Sequence, residues 1–444
     1  MSCLAQVFIS IGYDVSGSDI KESANTKALS GLGASVAIGH DAKNIAADAT
    51  VVVSSAIRAD NPELVAAREA GAVIMQRAQL LAKLMETKRG IAIAGTHGKT
   101  TTTSMAAVMM DAGGLEPTYL IGGELNDVGS GAKNGTGEFI VAEADESDAS
   151  LLNLRPEIAV ITNIEADHLD FYDSLADIQK VFIEFVNNLP ANGAAIVCVD
   201  SPALCEIMPE LKANLITYGL DNDEAEWRAA DIRTGSAGAT FTVWRGAERL
   251  GEATITQPGV HNVSNALAVI TLGMTLGLTF AAAAAGVEAF TGVRRRFQMK
   301  GSEHAITVVD DYAHHPSEVA ATLRAAKSGD WRRVVAAFQP HRYSRTSLLG
   351  ADFGRAFADA DTVIVTDVYA AGEEPIPGVD GKLIVDYILE EDPFKDVAYF
   401  PKKADISGYA AGRLAGGDIF LTLGAGDIWV LGEELLEELA DYEA

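Results

Sequence analysis

Cysteine is scarce: Cys3, Cys198 and Cys205 are the only three in 444 residues, too few and too irregularly spaced for a disulfide framework or a structural zinc site. A reducing compartment is expected. Long apolar runs are lacking too. No window approaches 18 uninterrupted apolar residues, and the first residues show no basic stretch leading into an apolar one, so neither a membrane-spanning helix nor a secretory signal is expected. Positive charge is in short supply. Against 62 Asp+Glu stand 34 Lys+Arg, a formal net charge of −28, which repels phosphate backbones and anionic lipid surfaces. A general nucleic-acid binder is excluded on that ground, and the chain reads as soluble and cytoplasmic.

What is present is core-forming material: 48% of the residues are hydrophobic, enough to build a core in each of about three domains of roughly 150 residues. Short β-branched runs alternate with Ala/Leu-rich helical stretches from end to end, the pattern of parallel sheets covered by helices on both faces. The expected class is α/β throughout. Buried strands are predicted at Thr50–Val53, Ile91–Ala94, Phe139–Ala142, Ile158–Thr162, Ala194–Val199, Ala305–Val309, Val334–Phe338, Thr362–Thr366 and Ile419–Leu423. A first seam is placed near residue 88, in the charged stretch Met85–Gly90, and a second near Gly292–Arg296, where an Ala-rich helix gives way to Gly-Val-Arg-Arg-Arg. Between them, Trp227–Gln257 alternates in period two and is expected to form an antiparallel, partly exposed appendage. Glu433–Ala444 carries six acids and no base and reads as a solvated terminal helix. One segment runs against the overall charge: from Arg294 to Arg345 there are ten Lys/Arg and five Asp/Glu, and a basic island in an acidic protein suggests an anionic ligand.

After the strand Ile91–Ala94 comes Gly95-Thr96-His97-Gly98-Lys99-Thr100-Thr101, then a Ser/Met/Ala-rich helix. In a strand, glycine loop, helix arrangement, backbone N–H groups and the helix dipole converge on phosphate, Lys99 neutralises charge, and Thr100 offers its hydroxyl to Mg2+. The strict GxxxxGK[ST] spacing is not met, because Ile93 stands where the first glycine belongs. Two further strands end in acids: Phe139–Ala142 runs into Glu143-Ala144-Asp145-Glu146, and Ile158–Thr162 into Asn163-Ile164-Glu165-Ala166-Asp167-His168. Ligands of open parallel sheets bind beyond the carboxyl ends of the strands. Three adjacent strand ends therefore deliver a phosphate loop, a carboxylate cluster and a histidine, with Glu143 as the expected metal ligand and His168 as a candidate for a second ion. Hard Mg2+ prefers oxygen ligands, so histidine is an unusual choice for it.

Seven collinear stretches resemble the Mur ligase family: Gly95–Thr101, Glu143–Leu151 (EADESDASL), 162–170 (TNIEADHLD), Gly259–Ala266 (GVHNVSNA), Arg295–Gln298 (RRFQ), Asp310–Pro316 (DDYAHHP) and Gln339–Thr346 (QPHRYSRT). The resemblance spans nearly the whole chain. It implies three domains: residues 1–88, Rossmann-like and holding a UDP-sugar; residues 89–293, a P-loop ATPase-type parallel sheet; and residues 294–444, Rossmann-like, binding the incoming amino acid and closing over the site. Within the family it points to the branch that attaches L-alanine to the lactyl carboxylate of UDP-N-acetylmuramate in peptidoglycan biosynthesis. In that reaction ATP activates the carboxylate as an acyl phosphate, with Mg2+, two ions being expected. The partners implied are these small molecules, with no nucleic acid and no membrane insertion, and a monomer or homodimer is expected. The alternatives are a ligase that recycles preformed peptide and a nonenzymatic nucleotide-binding homologue.

By the same resemblance, Asn262 and Asn265 approach the adenine side, Asp311 the ribose, and Arg296 the ATP phosphates on domain closure. Arg342 and Arg345 are the expected anchors of the amino acid's carboxylate, because a guanidinium fork pairs it bidentately. Tyr312, His314 and His341 are their expected neighbours, with His314 a candidate base. Asp19, His40, Ser54 and Ser55 carry over as UDP-sugar contacts. Family members usually open with a strand and a GIGGxGM-like loop, whereas this chain starts at Met1, at what would be the end of that loop. The expectation is a start assigned too far downstream, or else a real truncation. Gly131 stands where related chains often carry Asn, and Lys180 receives no role.

Overall fold

Every strand foreseen from a β-branched run is present, with ends shifted by at most two residues. In the computed structural model, which describes residues 1–441 apart from Ala47, Ser55, Asp170 and Asp221, the strands are β1 (Ser16–Asp19), β2 (Ser35–Ile38), β3 (Val51–Val53), β4 (Ile74–Gln76), β5 (Arg89–Ala94), β6 (Thr118–Leu120), β7 (Ala132–Lys133), β8 (Phe139–Glu143), β9 (Ile158–Ile161), β10 (Ala194–Cys198), β11 (Asn214–Leu220), β12 (Trp227–Gly235), β13 (Gly238–Arg245), β14 (Glu248–Ile255), β15 (Gln298–Glu303), β16 (Ile306–Asp311), β17 (Arg333–Phe338), β18 (Thr362–Thr366), β19 (Asp396–Phe400) and β20 (Asp418–Leu423). Two shifts matter chemically: Glu143 and the pair Asp310 and Asp311 are the last residues of their strands rather than the first of the following loops. The three cysteines are free thiols. Among the described residues no helix is long and apolar enough to cross a membrane.

The chain divides into two compact units, the first made of residues 1–228, 245–248 and 267–289, the second of residues 229–244, 249–266 and 290–444. In the first, strands run in the order β11-β10-β9-β5-β8-β6-β7, with β5 parallel to both β8 and β9. Ile91, Ala92, Ile93 and Ala94 of β5, and Ile140 to Ala142 of β8, are at most 1% exposed. Such two-sided burial is why these segments are continuous apolar runs rather than alternating ones. Helices Lys99–Ala112 and Phe280–Glu288 pack closely, and a Cβ on Gly286 would stand 2.7 Å from Met109 Cα. The segment before β5 carries two separate two-stranded parallel sheets, β1–β2 and β3–β4.

The second unit holds a six-stranded sheet of order β15-β16-β20-β17-β18-β19, parallel except for β15. One face buries Phe338, Phe353, Phe357 and Ile384, the other Phe420, Ile428, Leu431 and Leu435, so helices cover both sides. Trp227–Gln257 is the expected meander, β12 to β14, joined by two-residue turns.

Candidate functional site

The loop Gly95–Thr101 is shaped by two glycines that no other residue replaces easily. Gly95 has φ +132 and Gly98, which caps the helix Lys99–Ala112, has φ +83, conformations that side-chain-bearing residues avoid. A Cβ on Gly95 would lie 2.1 Å from Thr162 Oγ1. That closeness follows from the register: Ala94 is level with Ile161 of β9, so the residues after each strand meet. Thr162 Oγ1 donates to His97 O (2.6 Å), Asn163 Oδ1 accepts from His97 N (2.9 Å), and Thr96 Oγ1 accepts from Glu165 N (2.9 Å). His97 Nε2 stands 3.4 Å from Glu165 Oε2. The Asn163–Glu165 stretch thus fixes the loop that sequence pattern alone located.

Lys99 Nζ donates to Gly95 O (2.6 Å), Thr96 O (3.0 Å) and Glu146 Oε1 (2.7 Å). Glu146 is buried, its side chain 2% exposed, and its Oε2 is enclosed without a hydrogen-bond partner among the described residues. His168 Nε2 lies 3.6 Å from Glu146 Oε1 and 3.7 Å from Asp167 Oδ2. Burial lowers the His168 pKa, but Glu146 and Asp167 outweigh it and hold the imidazole above its ordinary value. Glu143, level with Ile93 of β5, accepts from Thr100 Oγ1 (3.1 Å) and, through its other oxygen, from Gly122 N (2.6 Å). A Cβ on Gly122 would stand 2.9 Å from the carboxylate, so glycine leaves the cradle open. A hydroxyl and a carboxylate oxygen side by side are the hard donors that Mg2+ takes, so Thr100 and Glu143 fit such an ion. His168 contributes nitrogen beside the Glu146 carboxylate, a mixed set that suits Mg2+ less well. Thr101 lies in the first turn of the helix.

Of the UDP-sugar candidates, Asp19 ends β1 and accepts from Lys21 N, while His40 Nδ1 bonds Ser18 Oγ (2.9 Å). Both Ser18 and Asn44 donate to Glu63 (2.6 Å each), and Asp41 N donates to it as well. Glu63 organises this cluster and had no recognisable motif. Ser54 follows β3, and Ser55 lies outside the described residues. Gly131 has no room for a larger side chain, since a Cβ there would lie 2.2 Å from Gly123 O and 3.2 Å from Cys3 Sγ. Lys180 pairs with Asp177 on an exposed helix face.

In the second unit, parallel register brings Asp311, Leu423 and Phe338 level, so the loops after β16, β20, β17 and β18 share one edge of the sheet. Asp311 accepts from Phe297 N and Ala313 N (2.7 Å each). Burial pushes its pKa up to about 6 against the pull of Arg296 and these donors. One oxygen thereby holds the backbone next to Arg295 and Arg296 and the other the backbone next to Tyr312, over whose ring the two guanidinium groups lie at 5.0 and 5.1 Å. Arg295 bonds Asp310 and Gly424 O, and Arg332 and Arg333 clamp fully buried Asp418. Part of the basic island is therefore structural rather than ligand-directed. Asn262 donates to Pro258 O and accepts from Asn265 Nδ2 (3.2 Å).

A run of rings links the amino-acid candidates: Tyr312 to His314 at 5.2 Å, His314 to His341 at 5.7 Å, and His341 to Tyr369 at 5.7 Å with planes 10° apart. His314 Nδ1 also faces Tyr312 O (3.0 Å). Burial, then His314, Arg345 and Arg342, pull the His341 pKa down to about 3, so this imidazole is neutral at ordinary pH. Arg345 lies beside it, Nη1 to Nδ1 3.3 Å. Arg342 caps the helix Tyr343–Ala356 with φ +71, a conformation costing a non-glycine residue about 1–3 kcal/mol and found chiefly where function demands it. Tyr369, Glu373 and Glu63 had no sequence signal, because each acts across a fold contact, whereas Glu146 belongs to the strand-end carboxylate cluster and only its pairing with Lys99 was hidden.

The site geometry has counterparts. Residues 1–89 match the model for the Mur ligase family catalytic domain, residues 93–273 that for the Mur ligase middle domain, and residues 295–426 that for the Mur ligase glutamate ligase domain. The chain is 49% identical over 439 residues to a UDP-N-acetylmuramate–L-alanine ligase of Geotalea uraniireducens, covering 99% of this chain and 95% of that one. It is 48% identical over 444 residues to the enzyme of that name from Geobacter sulfurreducens, covering 99% and 96%. The crystal structure of a UDP-N-acetylmuramate–alanine ligase from Thermotoga maritima superposes with a TM-score of 0.84 at 30% identity, covering 100% of this chain and 97% of that one. A murein peptide ligase from Psychrobacter arcticus shares the fold at 24% identity, with a TM-score of 0.72 over 100% and 97% of the two chains. With a three-domain α/β architecture, matches along nearly its whole length and a glycine loop built at the end of β5, this chain belongs to the Mur ligase family.

Proposed function

We propose that this chain joins L-alanine to the lactyl carboxylate of UDP-N-acetylmuramate at the expense of ATP. The observation that carries the reading is the convergence of Lys99, Thr100, Glu143 and Glu146 beyond the ends of β5 and β8. Residues 1–88 bind the UDP-sugar through Asp19, His40, Ser54 and Ser55; residues 89–293 bind ATP; residues 294–444 bind the amino acid. The free cysteines and the demand for ATP suit the cytoplasm.

A carboxylate resists attack by an amine until one oxygen becomes a good leaving group. The γ-phosphoryl of ATP passes to a lactyl carboxylate oxygen, ADP departs, and the neutral amine of alanine then forms the C–N bond as the C–O bond to phosphate breaks and the amine's proton is lost. Phosphoryl transfer needs alignment and charge neutralisation more than covalent help. The backbone of Gly95 to Thr101 cradles the phosphates, Lys99 and Arg296 neutralise them, and Asn262, Asn265 and Asp311 face the nucleoside. Thr100 and Glu143 would hold Mg2+, which would add to the neutralisation of the triphosphate, and His168 is the candidate holder of a second ion. Arg342 and Arg345 fork the alanine carboxylate, Tyr312 and His341 flank the amino acid, and His314 takes the amine proton.

The test is phosphate release from ATP in the presence of UDP-N-acetylmuramate with L-alanine, glycine, L-serine or the stem tripeptide supplied in turn. L-alanine should give the highest kcat/KM, with glycine and serine weaker, since one methylene discriminates only about 10–200-fold. Release that depends on the tripeptide and not on alanine overturns the reading.

A further inference from the structure

The loop after β18 grips the turn that carries Arg342 from two sides. On one side Arg342 N donates to Tyr369 O (2.9 Å) and Tyr369 N donates to Pro340 O (2.8 Å). These bonds make His341 and Tyr369 an isolated parallel bridge, and their rings lie nearly coplanar in orientation, 10° apart. On the other side Glu373 accepts from Ser344 N (3.0 Å) and from Ser344 Oγ (2.6 Å), two residues beyond Arg342. Burial raises the Glu373 pKa, but the Ser344 donors and the charge of Arg342 outweigh it, so the carboxylate is ionised and faces the guanidinium's field. Between these two attachments sits the residue with φ +71. A lone arginine does not keep that backbone conformation by itself, and the loop at 367–373 supplies the restraint.

We propose that Tyr369 and Glu373 are positioning residues that set the affinity for the amino acid's carboxylate by holding Arg342 in its positive-φ conformation. The inference rests on the reading of Arg342 as the carboxylate anchor. Neither residue needs to touch the amino acid: Tyr369 fixes the backbone and the plane of His341, and Glu373 fixes the first turn of the helix. Their loss therefore weakens amino-acid capture and leaves phosphoryl transfer intact.

Steady-state kinetics on the full chain separates the possibilities. Glu373→Ala should raise the KM for L-alanine about tenfold or more, and Tyr369→Ala, which keeps the main-chain bonds to Arg342 and Pro340 and removes only the ring against His341, about threefold, with kcat at saturating alanine and the KM for ATP within about twofold in both. Glu373→Gln keeps a carbonyl oxygen for Ser344 and should restore the KM to within about threefold of the parent. Melting temperatures are measured on each variant, and where Glu373→Ala does not fold, Ser344→Ala takes its place with a rise of about threefold in the same KM. Arg342→Ala is the control for the underlying reading. If it raises the alanine KM while Glu373→Ala, Tyr369→Ala and Ser344→Ala leave it within twofold, the positioning role is overturned and the anchor stands. A fall in kcat with all KM values moving together overturns it as well. If Arg342→Ala itself leaves the alanine KM unchanged, the anchor reading fails and the inference falls with it.

Discussion

Lys99 Nζ stands 2.7 Å from Glu146 Oε1, and the glutamate side chain is only 2% exposed. With two backbone carbonyls as its other partners, the lysine has all three donors engaged before any nucleotide arrives. An incoming polyphosphate must replace bonds that already exist, so its binding energy is the difference between two charge pairs rather than the gain of one.

Removing the lysine therefore has two separable effects. Lys99→Ala should lower kcat at least about 10³-fold through lost neutralisation of the transferring phosphoryl. It should also destabilise the fold by about 3 kcal/mol, because a buried carboxylate loses its cation. Adding Glu146→Gln should recover most of the melting temperature without recovering turnover. Phosphate release and thermal unfolding measured on the single and double variants check both parts, and turnover surviving in Lys99→Ala refutes the phosphate role.

Gly95→Ala should abolish ATP binding or unfold the loop. The new methyl meets Thr162 Oγ1 at 2.1 Å and the backbone must keep φ +132, so the strain alone costs about 1–3 kcal/mol. Adding Thr162→Ala removes the 2.1 Å clash but leaves the Asn163 backbone at 3.0 Å and the strain. Fluorescent nucleotide titration on the two variants should show partial recovery at most.

Glu143→Gln should raise the Mg2+ concentration needed for half-maximal activity about tenfold or more, since a neutral amide oxygen is a poorer ligand for a hard cation. Direct Mn2+ binding followed by electron paramagnetic resonance gives a second readout. Unchanged metal affinity removes Glu143 from the metal site.

Stability should depend on pH in two windows of opposite sign. The His341 pKa falls to about 3 in the fold, so the folded state favours the neutral ring. That contribution is complete above about 6.5 and is lost as pH falls from there toward 3. Asp311 behaves inversely: its pKa rises to about 6, so the protonated form is favoured and the contribution, complete below about 3.9, is lost as pH climbs toward 6. Urea unfolding over a pH series should show His341→Asn flattening the first window and Asp311→Asn the second.

Much of this was legible in one dimension. The run Ile91–Ala94 followed by Gly95 to Thr101 specifies a strand, a loop and a helix start by nearest-neighbour physics alone, and acids follow two further apolar runs. Local pattern also placed the meander at Trp227–Gln257, because period-two alternation is a property of consecutive residues. By contrast, the basic island misled in part: Arg332 and Arg333 read as ligand-directed charge until Asp418, more than 80 residues away, proved to be buried between them.

What the amino-acid sequence determined by itself is the set of apolar strands, the meander and the glycine loop that follows Ile91–Ala94, all set by short-range conformational preference and burial. Only the tertiary structure decided which groups answer one another: Glu146 to Lys99, Glu63 to Ser18 and Asn44, Glu373 to Ser344. The reason is that strand order and register are won in competition among all buried surfaces of a unit at once. A carboxylate's partner is therefore a property of the packed whole, which no stretch of neighbouring residues encodes.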